Sequence, residues 1–180
     1  MFRAIQLGAS CLLALSLVTV SLGQEPPQPG PEHKKLKELE GTWDCIMKMG
    51  PDESKGVATY KMDLGGLWLV SDFQGEFGGM KFSAKRLDGY DPIRKKYIGL
   101  WVDSMSTSPV TTEGTYDKDG KMLTMTGDGP GPDGKLTKYK LTTEHKDKDS
   151  MLFTMHGTGP DGKEGPMFTI TYQRRVPSGK

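Results

Sequence analysis

Nine clusters of turn-forming residues punctuate the chain at intervals of about ten residues: "GPDES", "LGG", "GEFGG", "GYDPIRKK", "SMSTSP", "DKDGK", "GPGPDGK", "HKDKDS" and "GPDGKEGP". Gly, Pro and Asp-Gly at such intervals leave room only for strands between them. Ten strands are predicted, near residues 42–49, 56–63, 66–74, 79–88, 95–104, 110–117, 121–127, 136–145, 150–156 and 166–175. Links this short join antiparallel neighbours, because parallel pairing needs long crossovers. An antiparallel meander of ten strands would leave two unpaired edges, and closure into an all-β up-and-down barrel removes both.

Period-two alternation gives several of these strands a dry face. Trp43, Cys45, Met47 and Met49 oppose Thr42, Asp44 and Lys48; Ala58, Tyr60 and Met62 oppose Thr59 and Lys61. Met80, Phe82 and Ala84 oppose Lys81, Ser83 and Lys85, and Phe168, Ile170 and Tyr172 oppose Thr169, Thr171 and Gln173. Two segments, "GLWLV" and "YIGLWV", are apolar on both sides, which calls for a second layer or a subunit contact. The one predicted helix lies in "EHKKLKELEG", residues 32–40, where Leu36 and Leu39 recur at helical spacing and Gly41 supplies the stop.

The N-terminus has a different character. One positive charge at Arg3, an apolar run from about Cys11 to Val20, and small residues at Ser21 and Gly23 make the layout of a secretory signal peptide cleaved after Gly23. The run is too short to span a bilayer comfortably, which disfavours an uncleaved anchor, and Cys11 lies too early for a lipoprotein signal. The expected organisation is a signal peptide at 1–23, a Pro-rich tether at 24–31, one barrel domain at 32–175 and a disordered tail at 176–180. The expected location is secreted or periplasmic, with no membrane span once the leader is removed.

Loss of Arg3 from the 24 basic residues balances them against the 23 acidic ones. A neutral chain has no basic field to hold nucleic acid. Only Cys45 of the two cysteines remains, so no internal disulfide forms and packing must hold the domain. A nucleophilic role for Cys45 would need a base nearby, and the only histidines are His33, His145 and His156. A small buried apolar side chain is the better reading of Cys45.

Gly41-Thr42-Trp43 at the start of the first strand, directly after a short helix, resembles the signature of the calycin superfamily, which includes lipocalins and fatty-acid-binding proteins. The resemblance implies that Trp43 lies across the closed end of the barrel and that a basic residue near the C-terminal end, here Arg174, packs on it as a structural floor. Across residues 32 to 175, "EHKKLKELEGTW", "LGGLWLV", "GYDPIRKKYIGLWVDSM", "LTMTGDGP" and "MFTITYQRR" follow in the order of the domain of unknown function 1579 family, a bacterial group often carrying secretion leaders. That similarity implies the barrel and leaves the activity open.

No G-x-S-x-G elbow, H-E-x-x-H or phosphate-binding glycine loop is present, so no catalytic residue, metal ligand or cofactor is assigned. Ten methionines remain beyond Met1; thioethers bind Cu(I), but they also fill adaptable apolar pockets. A haem site would need a ligand such as His156, which alternates away from Met151, Phe153 and Met155. The leading expectation is therefore a barrel that binds a small apolar ligand without chemistry. Its wall would comprise Tyr60, Phe82, Trp101, Met105 and Tyr139, with Asp103 as polar anchor. Two alternatives stand beside it: a filled barrel acting through its outer surface as a structural or partner-binding module, and a hydrolase or isomerase using Asp103.

Overall fold

A computed structural model describes residues 25–131, 134–158 and 163–176. The expected signal peptide, and the expected tail except for Val176, lie outside the described residues. The elements are α1 (Pro31–Lys37), β1 (Gly41–Met49), β2 (Asp52–Asp63), β3 (Trp68–Phe77), β4 (Met80–Asp91), β5 (Lys96–Asp103), β6 (Val110–Tyr116), β7 (Met122–Pro130), β8 (Leu136–Asp147), β9 (Ser150–Thr158) and β10 (Glu164–Arg174). Each predicted strand is present within a few residues of its expected position. All ten form one closed antiparallel barrel in sequential order, and β1 pairs with β10 from Trp43↔Arg174 to Lys48↔Thr169 to complete it.

The helix begins at Pro31, one residue earlier than expected, with Gly30 as its cap, and ends at Lys37. Tighter bonds, from Leu39 N to Leu36 O and from Glu40 N to Lys37 O, carry the chain on to Gly41. Leu36 is buried under this turn and plugs one end of the barrel, at the head of an apolar cluster that runs through Leu69, Tyr97, Met125 and Leu141 to Tyr139.

Gly41 is required where it stands. Its φ of +126° disfavours any side chain, and an added Cβ would lie 3.0 Å from Arg174 Nη1. The opposite end is made of turns: residues 50–51, residues 78–79 with both glycines at positive φ, residues 104–109, and two connections only partly described. None of its three fully described turns carries a helix across the opening.

The two strands apolar on both faces are resolved by register. Arg86 pairs with Trp101 and Gly99 with Thr112, so Tyr97, Gly99, Trp101 and Asp103 face inward. Ile98, Leu100 and Val102 face outward, as does Trp68 on β3. Among the described residues no second layer covers this strip, and Leu100 and Val102 are 41% and 44% exposed. A groove of about 460 Å3 runs along the outer wall here, bordered by Trp68, Leu87, Ile98 and Leu100 and by the charged Arg94, Glu113, Asp128 and Lys138.

Candidate functional site

The inward faces of the strands build three layers between the turn-lined end and the helix plug. The outermost is aromatic. Phe82 of β4 and Trp101 of β5 stack with ring centroids 6.4 Å apart and planes 24° apart. Phe73 meets Phe82 edge-on at 5.8 Å, and Phe77 lies 6.2 Å from it. Across the barrel, Phe153 of β9 and Phe168 of β10 pair at 6.0 Å. Phe82, Trp101, Phe153 and Phe168 are only partly buried, although every one points inward. Aromatic surface in a lumen that retains exposure is a receptive surface for a planar apolar molecule.

Asp103 sets the angle of the indole. Its Oδ2 accepts from Trp101 Nε1 at 2.9 Å, and its Oδ1 accepts from the Met105 amide at 2.9 Å. The second bond turns the chain out of the strand, leaving Met105 49% exposed on the following turn. Ser104 Oγ accepts from the Ser83 amide. The three histidines have partners elsewhere: His33 with the Gly30 amide, His145 with Tyr116 and His156 with Thr142, so none stands ready as a base for Asp103.

The middle layer is polar. Arg86 Nε donates to both carboxylate oxygens of Asp88, at 2.7 and 2.9 Å, and Nη2 donates to Thr112 Oγ1 at 3.1 Å. Each of the paired side chains is 16% exposed. Room for them comes from Gly99 on the neighbouring strand: an added Cβ would sit 2.2 Å from Arg86 Nη2 and 2.8 Å from Asp88 Oδ1. Burial raises the Asp88 carboxyl above its ordinary range, against the pull of Arg86. Tyr60 and Tyr172 stand near each other and near this pair, and burial pushes both phenols up. Cys45, also buried here, is pushed up to about 12 by burial, which keeps its thiol protonated and unreactive.

The innermost layer is the floor. Arg174 Cζ lies 4.0 Å from the Trp43 ring centroid, and Trp43 Nε1 donates to Leu39 O at 2.9 Å. The arginine also holds the chain around the plug, donating to Glu40 O, to Glu38 O at 2.7 Å and to Asp149 Oδ1 at 3.0 Å. Beneath α1, Tyr97 packs edge-on against Tyr116 at 5.1 Å, and the Tyr116 hydroxyl bonds His145 Nε2 at 3.0 Å. Tyr139 shares an apolar cluster with Leu36 but lies toward the turn-lined end, its hydroxyl donated to Pro130 O at 2.8 Å beside the β7–β8 connection.

Of the six lining residues named from sequence, Phe82 and Trp101 therefore meet in the aromatic layer, with Asp103 bonded to the indole. Tyr60 lies in the polar layer, Tyr139 toward the turn-lined end on β8, beside Pro130, and Met105 on the turn outside. Sequence reasoning overlooked Arg86 and Asp88. The signal was present, since the alternation that turns Phe82 and Ala84 inward continues through positions 86 and 88.

Among the described residues no cluster of three His, Cys, Asp or Glu side chains is placed to hold a metal, and no helix is long and apolar enough to cross a membrane. A family model described as "Protein of unknown function (DUF1579)" matches residues 28–174. The chain belongs to that family. No curated protein matches it. Among solved structures, the S-type phycobiliprotein lyase CPES from Guillardia theta is similar in fold, with a TM-score of 0.53 at 11% identity, covering 82% of this DUF1579 chain and 94% of the lyase. Two redesigned beta barrels also align at 17% identity. One covers 79% of this chain and 96% of its own, with a TM-score of 0.42. The other, mFAP1 bound to DFHBI, covers 78% and 98%, with a TM-score of 0.37.

Proposed function

We propose that this protein is a secreted or periplasmic barrel that binds a small, largely apolar aromatic molecule in the turn-lined half of its lumen, without chemistry on it. The carrying observation is the facing pair of aromatic surfaces, Phe82 with Trp101 and Phe153 with Phe168, all inward and all only partly buried. The interiors of small barrels are filled by side chains, and the exposure these four retain marks where this one is open. Catalysis by Asp103 is disfavoured, because its carboxylate is committed to the Trp101 indole and the Met105 amide.

Titration with planar aromatic compounds, followed by Trp fluorescence, tests the reading. Binding is expected near the micromolar range, about 8 kcal/mol, with at least a tenfold loss, about 1.4 kcal/mol, in Trp101→Ala. If nothing binds below about 1 mM, the lumen reading fails. A second reading, docking of a partner on the outer wall, is favoured by the groove along Trp68, Leu87, Ile98 and Leu100. It predicts that Leu100→Glu, and not Trp101→Ala, alters association in sedimentation experiments.

A further inference from the structure

The polar layer beneath the aromatic one restricts what the inner end of a ligand can be, provided the lumen reading above holds. Arg86 is the register neighbour of Trp101, and both point inward, so a two-ring body resting on the indole reaches the guanidinium. Two of the three guanidinium nitrogens are engaged: Nε with both oxygens of Asp88, Nη2 with Thr112 Oγ1 and, more weakly, Met125 Sδ. Nη1 has no hydrogen-bond partner among the described residues. It is not sealed away either, since every fully buried side-chain nitrogen and oxygen among the described residues has a partner. Two N–H donors therefore remain available beside the aromatic layer.

Charge decides what they receive. Asp88 already neutralises Arg86 at 2.7 and 2.9 Å. A second anion would leave a net negative charge in a site poor in water, facing the Asp88 carboxylate a few ångströms away, and a cation would face Arg86 itself. Burial already works against the ionised form of Asp88, so the site tolerates further negative charge poorly. An uncharged acceptor oxygen satisfies the free donors and leaves the balance intact.

We propose that the ligand class is a neutral planar aromatic carbonyl compound, with its ring system against Trp101 and Phe82 and its carbonyl oxygen accepting from Arg86 Nη1. Three matched probes test this on the full chain: 6-propionyl-2-(dimethylamino)naphthalene, an aromatic ketone whose fluorescence moves to the red when its carbonyl accepts a hydrogen bond; 2-(dimethylamino)naphthalene, which lacks the carbonyl; and 6-(dimethylamino)-2-naphthoate, which carries a carboxylate. At pH 7 the ketone is expected to bind about tenfold more tightly than either of the others, the scale of one hydrogen bond to a charged donor. The Arg86→Met/Asp88→Leu variant removes both charges together and leaves neither buried alone. In it the ketone's advantage should vanish and its emission move to the blue. The ranking of the three probes on the unaltered protein stands as a test even if that variant fails to fold.

Equal binding of the ketone and the carbonyl-free amine, both lost in Trp101→Ala, would overturn the carbonyl assignment while keeping the lumen reading. Tightest binding by the carboxylate would overturn it in favour of an anion on Arg86. Failure of all three probes to bind would remove the lumen reading itself, and this inference with it.

Discussion

Replacing Arg174 by Ala removes more than one contact. The guanidinium lies 4.0 Å over a Trp43 ring that is 1% exposed, so the cation–π contact is desolvated and contributes about 1 to 2 kcal/mol. The same side chain donates to the carbonyls of Glu38, Glu40 and Lys148 and to the Asp149 carboxylate. Hydrogen bonds from a charged donor contribute about 1.5 to 3 kcal/mol each where water is absent. Arg174 is 22% exposed, and water can take over these acceptors after truncation, so about 2 kcal/mol in total is the reasonable share. The expected loss is thus about 3 to 4 kcal/mol, or about 10 °C in Tm for a domain of this size. Arg174→Lys, which keeps the charge and lacks the fork, should lose about half of that, roughly 2 kcal/mol. Urea denaturation of both variants, together with Trp43→Leu and the Trp43→Leu/Arg174→Ala double variant, measures the terms separately. A loss below about 1 kcal/mol for Arg174→Ala, or strict additivity in the cycle, would refute the idea that this pair closes the barrel floor.

Gly114→Ala should destabilise the protein by about 3 kcal/mol or more, because the new Cβ would lie 1.9 Å from Thr124 O and 2.6 Å from Met125 Cα, both backbone atoms that cannot rotate away; an unchanged denaturation midpoint would contradict the close β6–β7 approach. His145 should make stability fall in acid: burial holds its folded pKa below the ordinary 6.5, so as pH drops through 6.5 the unfolded chain takes up a proton that the folded one refuses until its own lower pKa. Denaturation between pH 5 and 8 should show a decline toward acid that is shallower in His145→Gln, and identical slopes would remove the assignment. Exported protein should begin at Gln24; N-terminal sequencing that returns Met1 would remove the leader.

Turn chemistry and alternation made the barrel legible because both are local. Each strand boundary is marked by Gly, Pro or Asp within a few residues, and the inward faces repeat every second position, with irregularities at Pro166/Phe168 and His145/Asp147. The site was harder to place because its residues obey rules that begin or end locally. Positions 101, 103 and 105 alternate on paper, but β5 stops at Asp103, whose carboxylate takes the Met105 amide and ends the period. Arg86 and Asp88 continue the inward alternation of Phe82 and Ala84, but their charge reads as solvent-facing, and the space left by Gly99 on the next strand is what accommodates them inside. The orientation of β5 had no local signature at all, since apolar groups occupy both sides; pairing with β4 and β6 decides it. The Trp43–Arg174 contact links positions 131 residues apart and came from resemblance, which carries long-range pairings that periodicity cannot.

Closure by the first and last strands has a consequence for how the chain comes into being. The strand Glu164–Arg174 is both the final partner of β1 and the final partner of β9. Until it has been synthesised, every nascent intermediate presents two unpaired edges and an open apolar trough, the condition in which β chains add to one another. Sequential hairpins can form early and at low entropic cost, but the last pairing joins the two ends of the domain and must wait for nearly the whole chain. The period of greatest danger for this protein is therefore its own translation, and a truncation that spares nine of ten strands would leave it more prone to aggregate than one that spares only a few.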